Sequence, residues 1–495
     1  MTWPLARCLD SAVSDPGDPF INTWILDWDV WATRHQPLSL FHANVLHPAR
    51  YSLAFSENLY GLALLLMPFR AAGATPLAAY NIGILLGFAF SGFAAYVLGR
   101  MLTASWIAGF AAGVFYAFVP FRFTHLPHIQ HVWGGWLALL PAALLWYAAR
   151  PSWKRAAAFG LVFLMNGLTN IHWLLFGSLA IALTIVVLAI RGERRWLPLV
   201  VATVIAFALL APFLYPYHAA AKLYGAERTW EETLRYSATL RDWIFTSAEP
   251  ERRLFPGFAA ILLSILGARA AAGRAYVWAV WIVIGVLGSL GLNAFFHAML
   301  FNVVPGFRAI RAPARWAAVA YIGMAMLIAL AASRRKWIGV VATIALLFEL
   351  RQAPIRWYSV VAEPREVDTW LASTPTTGAI IELPIDVTGS EAMAMFRATA
   401  HHKPIVNGVS GFVPQQHERI AASWPGDAFV DELARAGVEL IVVHADAVDA
   451  RDWLRRELDR GRIRFVRRFN GGTSGDWVFS LRGPHATSPD LEAFL

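Results

Sequence analysis

Residues 75–98 read TPLAAYNIGILLGFAFSGFAAYVL, twenty-four positions without a charged side chain. An α-helix rises 1.5 Å per residue, so about 20 apolar residues cross the hydrocarbon of a bilayer. This stretch is long enough, and others follow at 104–121, 131–149, 154–169, 171–190, 196–216, 256–271, 275–291, 314–332 and 337–350. Ten spans are expected. The stretch NLYGLALLLMPF (58–69) has only 12 residues and a proline near its end, which suits an interfacial or re-entrant helix.

Composition points the same way. Of 495 residues, 57% are hydrophobic and 15% charged, against about 25% charged in a soluble domain. The mean hydropathy is +0.49. The 22 tryptophans suit a chain with much of its surface at the lipid–water interface. Cys8 is the single cysteine, so neither an intrachain disulfide nor a Cys-based zinc cluster is available. The net charge of +9 is not a nucleic-acid signature, because the basic residues punctuate the apolar runs in short clusters.

Those clusters set the orientation. With ten spans, Arg100, then Arg150, Lys154 and Arg155, then Arg191, Arg194 and Arg195 fall on one side. Arg269 and Arg274, and finally Arg334, Arg335 and Lys336, fall on that side too, as the positive-inside rule requires. Counting 58–69 as a full span would put every cluster outside. The external face then holds an acidic loop with interfacial helices (1–74), the loops 217–255 and 292–313, and a tail (355–495), around a transmembrane domain (75–350). The expected location is a bacterial cytoplasmic (inner) membrane with the tail on the periplasmic side. Residues 1–14 lack the apolar core of a signal peptide. The opening MTWPLARCL reads as the last turn of a span begun upstream, or as a short external N-terminus.

The tail is a different material. GAIIELPI (378–385), GVELIVVH (437–444) and RIRFVRRF (462–469) read as strands. DAFVDELARAG and DARDWLRRELDRG read as amphipathic helices with Asp at the cap and Gly at the stop. A small external α/β domain is expected.

With these segments placed, the chain resembles a large bacterial family of polytopic proteins classed with the GT-C-type glycosyltransferases. The likeness is carried by DPGDPFINTWILDWD (15–29), FHANVLHPARYSLAFSENLYG (41–61), LAAYNIGILLGFAFSGFAAYVLGRMLT (77–103) and YAFVPFRFTHLPHIQ (116–130). RYSATLRDW (235–243), VVPGFRAIRAPARWA (303–317) and PIVNGVSGFVP (404–414) extend it through nearly the whole chain. The resemblance implies an α-helical polytopic GT-C-like fold and transfer of a sugar, hexosyl or pentosyl, from a polyprenyl-phosphate donor. The acceptor would be an envelope glycan, lipid or protein, met on the external face, and the anomeric centre would be inverted. A first span, usual in the family, is not visible here.

Four groups of residues bear on that chemistry. Residues 1–33 hold five acids (Asp10, Asp15, Asp18, Asp27, Asp29) and one base, Arg7. Pro16 and Pro19 keep Asp15 and Asp18 out of helix, in a stiff turn. Glycosyl transfer needs a carboxylate to deprotonate or position the acceptor hydroxyl, sometimes through a divalent metal. In the resembling family it comes from this first external loop, which makes Asp18, and with it Asp15, the catalytic candidate. Both could instead cap the helix starting near Phe20. Asp27 and Asp29 point to different helix faces and are poorer candidates.

Second, Arg308, Arg311 and Arg315 lie in 292–320, a stretch without Asp or Glu. Pro313 suits the first turn of the next span, so Arg315 lies near a helix N-terminus, which favours an anion. A lipid-phosphate headgroup is the expected partner; anionic lipid or a distant carboxylate such as Asp18 are the alternatives. Third, His125, His128 and His131 stand three apart, but Pro127 interrupts their helix and no zinc spacing fits. No metal site is assigned, and dependence on a divalent metal stays open. Fourth, Glu57, Asn44 and His172, with His125 and His128, are expected substrate contacts or partners of buried backbone. The segment VNGVSGF (406–412) is either a cavity-facing loop or a turn. Two other readings remain: a lipid-linked sugar transporter or flippase, which should keep ionisable groups in mid-membrane, and a non-catalytic envelope-assembly protein.

Overall fold

The structure, a computed structural model, describes residues 1–481 except 191, 193–194, 226, 271, 305, 386–387 and 470–474, and gives only the backbone of 272, 274 and 388. Arg191 and Arg194, the side chain of Arg274 and the end of the tail (482–495) therefore lie outside the described residues.

The stretch that opened the sequence reading forms the helix Pro76–Thr103. Thr75 caps it, accepting from the Ala78 amide at 3.1 Å, and Pro76 fills the first turn, where its missing N–H costs nothing. Ser105 caps the next helix, Trp106–Phe118, in the same way. The two helices nearly touch backbone to backbone: a Cβ on Gly113 would lie 2.7 Å from the Gly92 carbonyl oxygen. Lipid is as apolar as leucine, so close packing of small residues must do what hydrophobic burial does in water. The same rule explains the central helix Ala317–Ala332, AAVAYIGMAMLIALAA, every residue of which is buried. It is wrapped by Phe258–Ala270, Ala272–Ser289, Pro76–Thr103 and Trp106–Phe118.

Among the described residues, six helices are long and apolar enough to cross a membrane: Pro76–Thr103, Trp106–Thr124, Ile129–Ala149, Ile171–Ile190, Leu197–Tyr224 and Pro313–Ala332. The chain is a multi-pass membrane protein. Trp153–Thr169, Phe258–Ala270, Ala272–Ser289 and Lys336–Glu349 are shorter helices at the other four expected positions, and a ten-span topology counts these as well. One boundary differs. Leu197–Tyr224 continues through Pro212 and Pro216, beyond the expected end at 216, because proline inside a lipid-exposed helix is tolerated where neighbours satisfy the freed carbonyls. Tyr60–Ala71 is the short helix expected at 58–69.

The two ends of the chain are joined. A short strand β1 (Ala12–Val13) pairs antiparallel with β2 (Tyr358–Ser359). The tail then forms a four-stranded sheet in the order β3–β4–β6–β5, from β3 (Ala379–Leu383), β4 (Val438–His444), β5 (Arg464–Phe469) and β6 (Asp476–Ser480). β3 and β4 are parallel; the other pairs are antiparallel. β6 was not expected, since DWVFS holds only three apolar residues in a row, too short a run for periodicity to assign. Helices Phe429–Arg435 and Arg451–Asp459 begin after Ala428 and Ala450 without side-chain caps, so Asp427 and Asp449 stand one residue outside the expected place. The expected stops hold: Gly437 and Gly461 take φ of +75° and +66°, which glycine adopts at no cost.

The sheet is apolar on both faces, and that dictates how the tail sits. Side chains alternate along a strand, so Ile381, Leu383, Ile441, Val443 and Phe479 join one core under the tail's own helices. Ile380, Leu440, Val442 and Val478 point the other way, into a core shared with Phe20, Trp24, Leu46 and Leu62 from the first 74 residues. On that side the acidic loop's helix, Asp18–His35, packs on the tail helix Thr388–Arg397, with the Phe20 and Phe396 rings 5.2 Å apart. Polar ties reinforce this seam: Asp27 accepts from Arg70 Nη2 at 2.7 Å and from His402 Nε2 at 2.8 Å.

Asp29 is buried in this helix with Oδ2 unpartnered, and Oδ1 accepts from Asn58 Nδ2 at 3.1 Å. Burial pushes its carboxyl well above the usual range, only partly offset by Asn58. A raised carboxyl pKa means that the folded state holds its proton longer than the unfolded one, so stability falls as pH rises above 3.8 toward the raised value. Asp29→Asn should therefore gain thermal stability relative to wild type as pH rises through that window. A melting-temperature difference that stays flat with pH would refute the neutral carboxyl.

Candidate active site

The SDPGDP turn places Asp18 in a cavity. Asp15 Oδ1 accepts from the Gly17 amide at 2.8 Å, closing the turn, and Gly17 is the cap position of helix Asp18–His35. No side chain caps that helix. The capping role allowed for Asp18 by sequence is not the one it takes: its Oδ2 instead meets His128 Nε2 at 3.2 Å. That meeting is enforced. Asn22 Nδ2 donates to the carbonyls of Asp18 and Pro127, both at 2.9 Å, and the Tyr80 hydroxyl donates to the Pro127 carbonyl at 3.2 Å. Pro127 breaks the helix so that His128 turns toward Asp18. Arg122, stacked on Tyr116, donates to the carbonyls of Tyr116, His131 and Val132 and holds the broken segment in place.

Behind Asp18 lies a cavity of about 370 Å³. Its floor is a chain of buried polar groups. Arg315 grips Glu251 with Nη2 at 2.6 Å and Nε at 3.1 Å, and His125 Nε2 reaches the same carboxylate at 2.9 Å. Arg315 Nη1 faces His172 Nε2 at 3.4 Å. His172 Nδ1 lies 3.0 Å from Glu57 Oε1, which also accepts from the Ile171 amide at 3.0 Å, while Oε2 accepts from Gln130 at 2.9 Å. One wall carries Arg311, whose guanidinium lies 5.2 Å from the Tyr236 ring and has no carboxylate partner among the described residues. The roof comes from the tail: Val409, Ser410, Gly411 and Phe412 close over the cavity. Arg228 pins them, donating to the Gly411 carbonyl at 2.8 Å and lying 4.1 Å from the Phe412 ring.

The charges follow from this packing. Burial raises the Asp18 carboxyl, and Arg311 and Arg315 pull it back only in part. Its side chain is 46% exposed, but that surface lines the cavity. Burial alone would also raise Glu57, yet His172, Arg315 and Gln130 bring it down to about 2. Glu251 is likewise held well below the usual range, against burial, by Arg315 and His125. Burial and Arg315 lower His128 to about 3. It is therefore a neutral ring whose Nε2 lies 3.2 Å from Asp18 Oδ2, with Nδ1 unpartnered. Of the acids on this cavity, Asp18 is the one not bound up in ion pairing.

Glu57, His131 and His172 place ligand-type atoms within 4.8 Å of one another, the arrangement a divalent cation would need. Their hydrogen bonds argue against it. Asn170 is oriented by the Trp173 amide donating to its Oδ1, so its Nδ2 donates to His131 Nδ1 at 3.1 Å. His131 Nε2 must then carry the proton. The Arg315 donor on His172 Nε2 likewise leaves the proton on Nδ1, shared with Glu57. Both rings would have to exchange tautomers before taking a metal. The residues present do not fit an ion, and no step below is routed through one.

The structure thus gathers Asp18, Glu57, His128, His172, Arg311 and Arg315 around one space. It separates others. Asp15 serves the turn. Arg308 is exposed, 3.9 Å from Glu227 and away from the cavity, because the turn at 307–309 aims it outward. Asn44 accepts from Trp24 Nε1 at 2.9 Å and donates to the Lys403 carbonyl at 3.2 Å, tying the loop to the tail. His125 lies beneath the floor, 1% exposed. Of the segment 406–412, residues 409–412 face the cavity, while Val406 and Asn407 are buried within the tail. Glu251, Arg228, Tyr217 and Gln130 were not singled out from sequence. Glu251 sits among arginines in PERR, a pattern that reads as ordinary surface charge until Arg315 is seen beside it.

In fold, the chain is similar to a solved arabinofuranosyltransferase. The arabinofuranosyltransferase AftD from Mycobacteria matches with a TM-score of 0.59 over 94% of this chain at 13% identity. The chain spans 40% of AftD. The archaeal oligosaccharyltransferase AglB from Archaeoglobus fulgidus, solved with an inhibitory peptide and a dolichol-phosphate, aligns at TM-score 0.45 and 15% identity, over 87% of this chain and 66% of AglB. ArnT from Cupriavidus metallidurans aligns at TM-score 0.40 and 12% identity, over 97% of both chains. At these identities the likeness is one of fold. No family model and no curated protein matches the sequence.

Proposed function

We propose that this chain transfers a sugar from a polyprenyl-phosphate donor to an envelope acceptor on the external face of the membrane. The observation that carries the reading is one cavity holding an uncapped carboxylate, Asp18, together with a cation lacking a carboxylate partner, Arg311. The fold shared with AftD, an arabinofuranosyltransferase, supports it. In the proposed step the acceptor hydroxyl attacks the anomeric carbon and Asp18 takes its proton. The bond from that carbon to the phosphate oxygen breaks with its electron pair on oxygen. Arg311 meets the phosphate charge as it grows. Arg315 has five N–H donors, three of them engaged by Glu251 and His172, so two remain for the same phosphate. The neutral His128 ring packs beside Asp18, its Nε2 3.2 Å from Oδ2. A single displacement of this kind inverts the anomeric centre.

The purified full chain in lipid nanodiscs, given radiolabelled polyprenyl-phosphate sugars and a cell-envelope extract, should transfer label to the extract. No transfer with any pentosyl or hexosyl donor would sink the reading. Activity should also fall on the acid side through a single ionisation above the 3.8 of an ordinary Asp, because the base works only when ionised and burial raises Asp18. His128, titrating near 3, contributes no step above that. A pH profile flat down to 4 would exclude Asp18 as the base.

A further inference from the structure

Next to the cavity, on the outer side of the tail loop, lies a second cleft of about 340 Å³. One run of chain separates the two: 409–412 lines the cavity and 413–417 lines the cleft. The partition is completed by an edge-to-face pair at 5.2 Å, Phe55 facing the cavity and Tyr224 the cleft. The two spaces therefore adjoin across these side chains.

The linings differ in kind. The cavity presents Asp18, Glu57, Arg228, Arg311 and Arg315. The cleft presents no Asp, Glu, Lys or Arg. It offers ring faces (Tyr224, His47, Pro48) and the amides of Gln415 and Gln416. Burial keeps the His47 ring neutral. Neither glutamine side chain makes a hydrogen bond among the described residues, and Tyr224 remains 37% exposed. An amide offers donors and acceptors together, as a sugar hydroxyl does. Flat apolar surfaces with a few convergent neutral polar groups are what an uncharged polyol needs, and an anion would find no counter-charge.

The cleft is also built at some conformational cost. Leu46 on its edge is a non-glycine residue at φ +56°, held there because its amide donates to the Asn407 carbonyl at 3.1 Å and the His47 amide to the Ile405 carbonyl at 3.0 Å. Such strain survives only where the surroundings impose it, and it clusters at ligand sites.

We propose that this cleft is the acceptor subsite and binds an uncharged glycan, whose terminal hydroxyl enters the neighbouring cavity. The proposal rests on the glycosyl-transfer reading for what happens at the end of the chain, but binding in the cleft is testable without turnover. The full chain in nanodiscs would be titrated with neutral hexasaccharides of arabinose, mannose and glucose and with a phosphorylated hexasaccharide, reading bound ligand protons by saturation-transfer NMR. At least one neutral oligosaccharide should bind, and better than the phosphorylated one. Gln415→Ala/Gln416→Ala should weaken it about tenfold, the loss of roughly two neutral hydrogen bonds. Ala49→Trp, which fills the cleft from its rim, should abolish binding, and neither change should alter donor-lipid binding. Asp18→Asn should leave glycan binding intact, so a failed catalytic assignment would not be mistaken for a failed cleft. No neutral binding, preference for the phosphorylated ligand, or neutral binding unchanged in both cleft variants would each overturn the proposal.

Discussion

Asp18→Asn should lower single-turnover glycosyl transfer by about 10²–10⁴-fold, the usual worth of a positioned general base, while donor-lipid binding stays nearly unchanged. The substitution keeps the shape of the side chain, so the 3.2 Å contact with His128 Nε2 has a neutral counterpart. What it removes is the proton acceptor. The competing explanation, loss of a helix cap, predicts something else: about 0.5–2 kcal/mol of stability and no change in turnover per folded molecule. Helix Asp18–His35 has no side-chain cap to lose, so the melting temperature should barely move. Transfer within tenfold of wild type at equal folded yield would assign Asp18 a structural role.

The two cavity arginines should part company. Arg315→Ala strips the buried Glu251 carboxylate of its bidentate partner and leaves only His125 beside it. Breaking a buried ion pair from one side costs about 3–5 kcal/mol, enough to unfold a large share of a marginally stable protein. The double change Arg315→Met/Glu251→Gln, which removes both charges, should recover much of that loss. Arg311→Ala removes a half-buried cation with no carboxylate to strand, so stability should shift by less than about 0.5 kcal/mol. Donor binding should instead weaken by roughly 1.5–3 kcal/mol, the worth of a charge-assisted hydrogen bond. Thermal unfolding and equilibrium binding of a polyprenyl-phosphate sugar separate the two outcomes. Normal donor affinity in Arg311→Ala would remove the phosphate from this site.

Much of the molecule was legible in the chain itself. The expected apolar stretches fall on helices, six of them long and apolar enough to cross a membrane among the described residues, since apolar runs opened by caps such as Thr75 and Ser105 have one low-energy form in lipid. The tail strands β3, β4 and β5 were legible from their β-branched runs, and its helix stops from glycine. Asp18 stood out because two prolines stiffen its turn, and Arg311 and Arg315 because their stretch holds no acid.

What the sequence could not distinguish were partners far apart along it. Arg311 and Arg315 read alike, four residues apart, yet Glu251, 64 residues before Arg315, occupies one and not the other. Glu57 reads as a substrate contact until the Ile171 amide, His172 and Gln130 are found on its oxygens. Local pattern records which groups are present and which way a turn or helix aims them. It carries no record of which buried charge is already compensated, because compensation is a short-range interaction between segments brought together only when the apolar surfaces pack. The apolar core on the second side of the tail sheet is shared with helix Asp18–His35, and residues 409–412 line one cavity with Asp18. A cavity that sets the Asp18 carboxylate beside Arg311, which has no carboxylate partner among the described residues, is therefore a property of the tertiary fold, while the apolar helices around it were already legible in the order of residues.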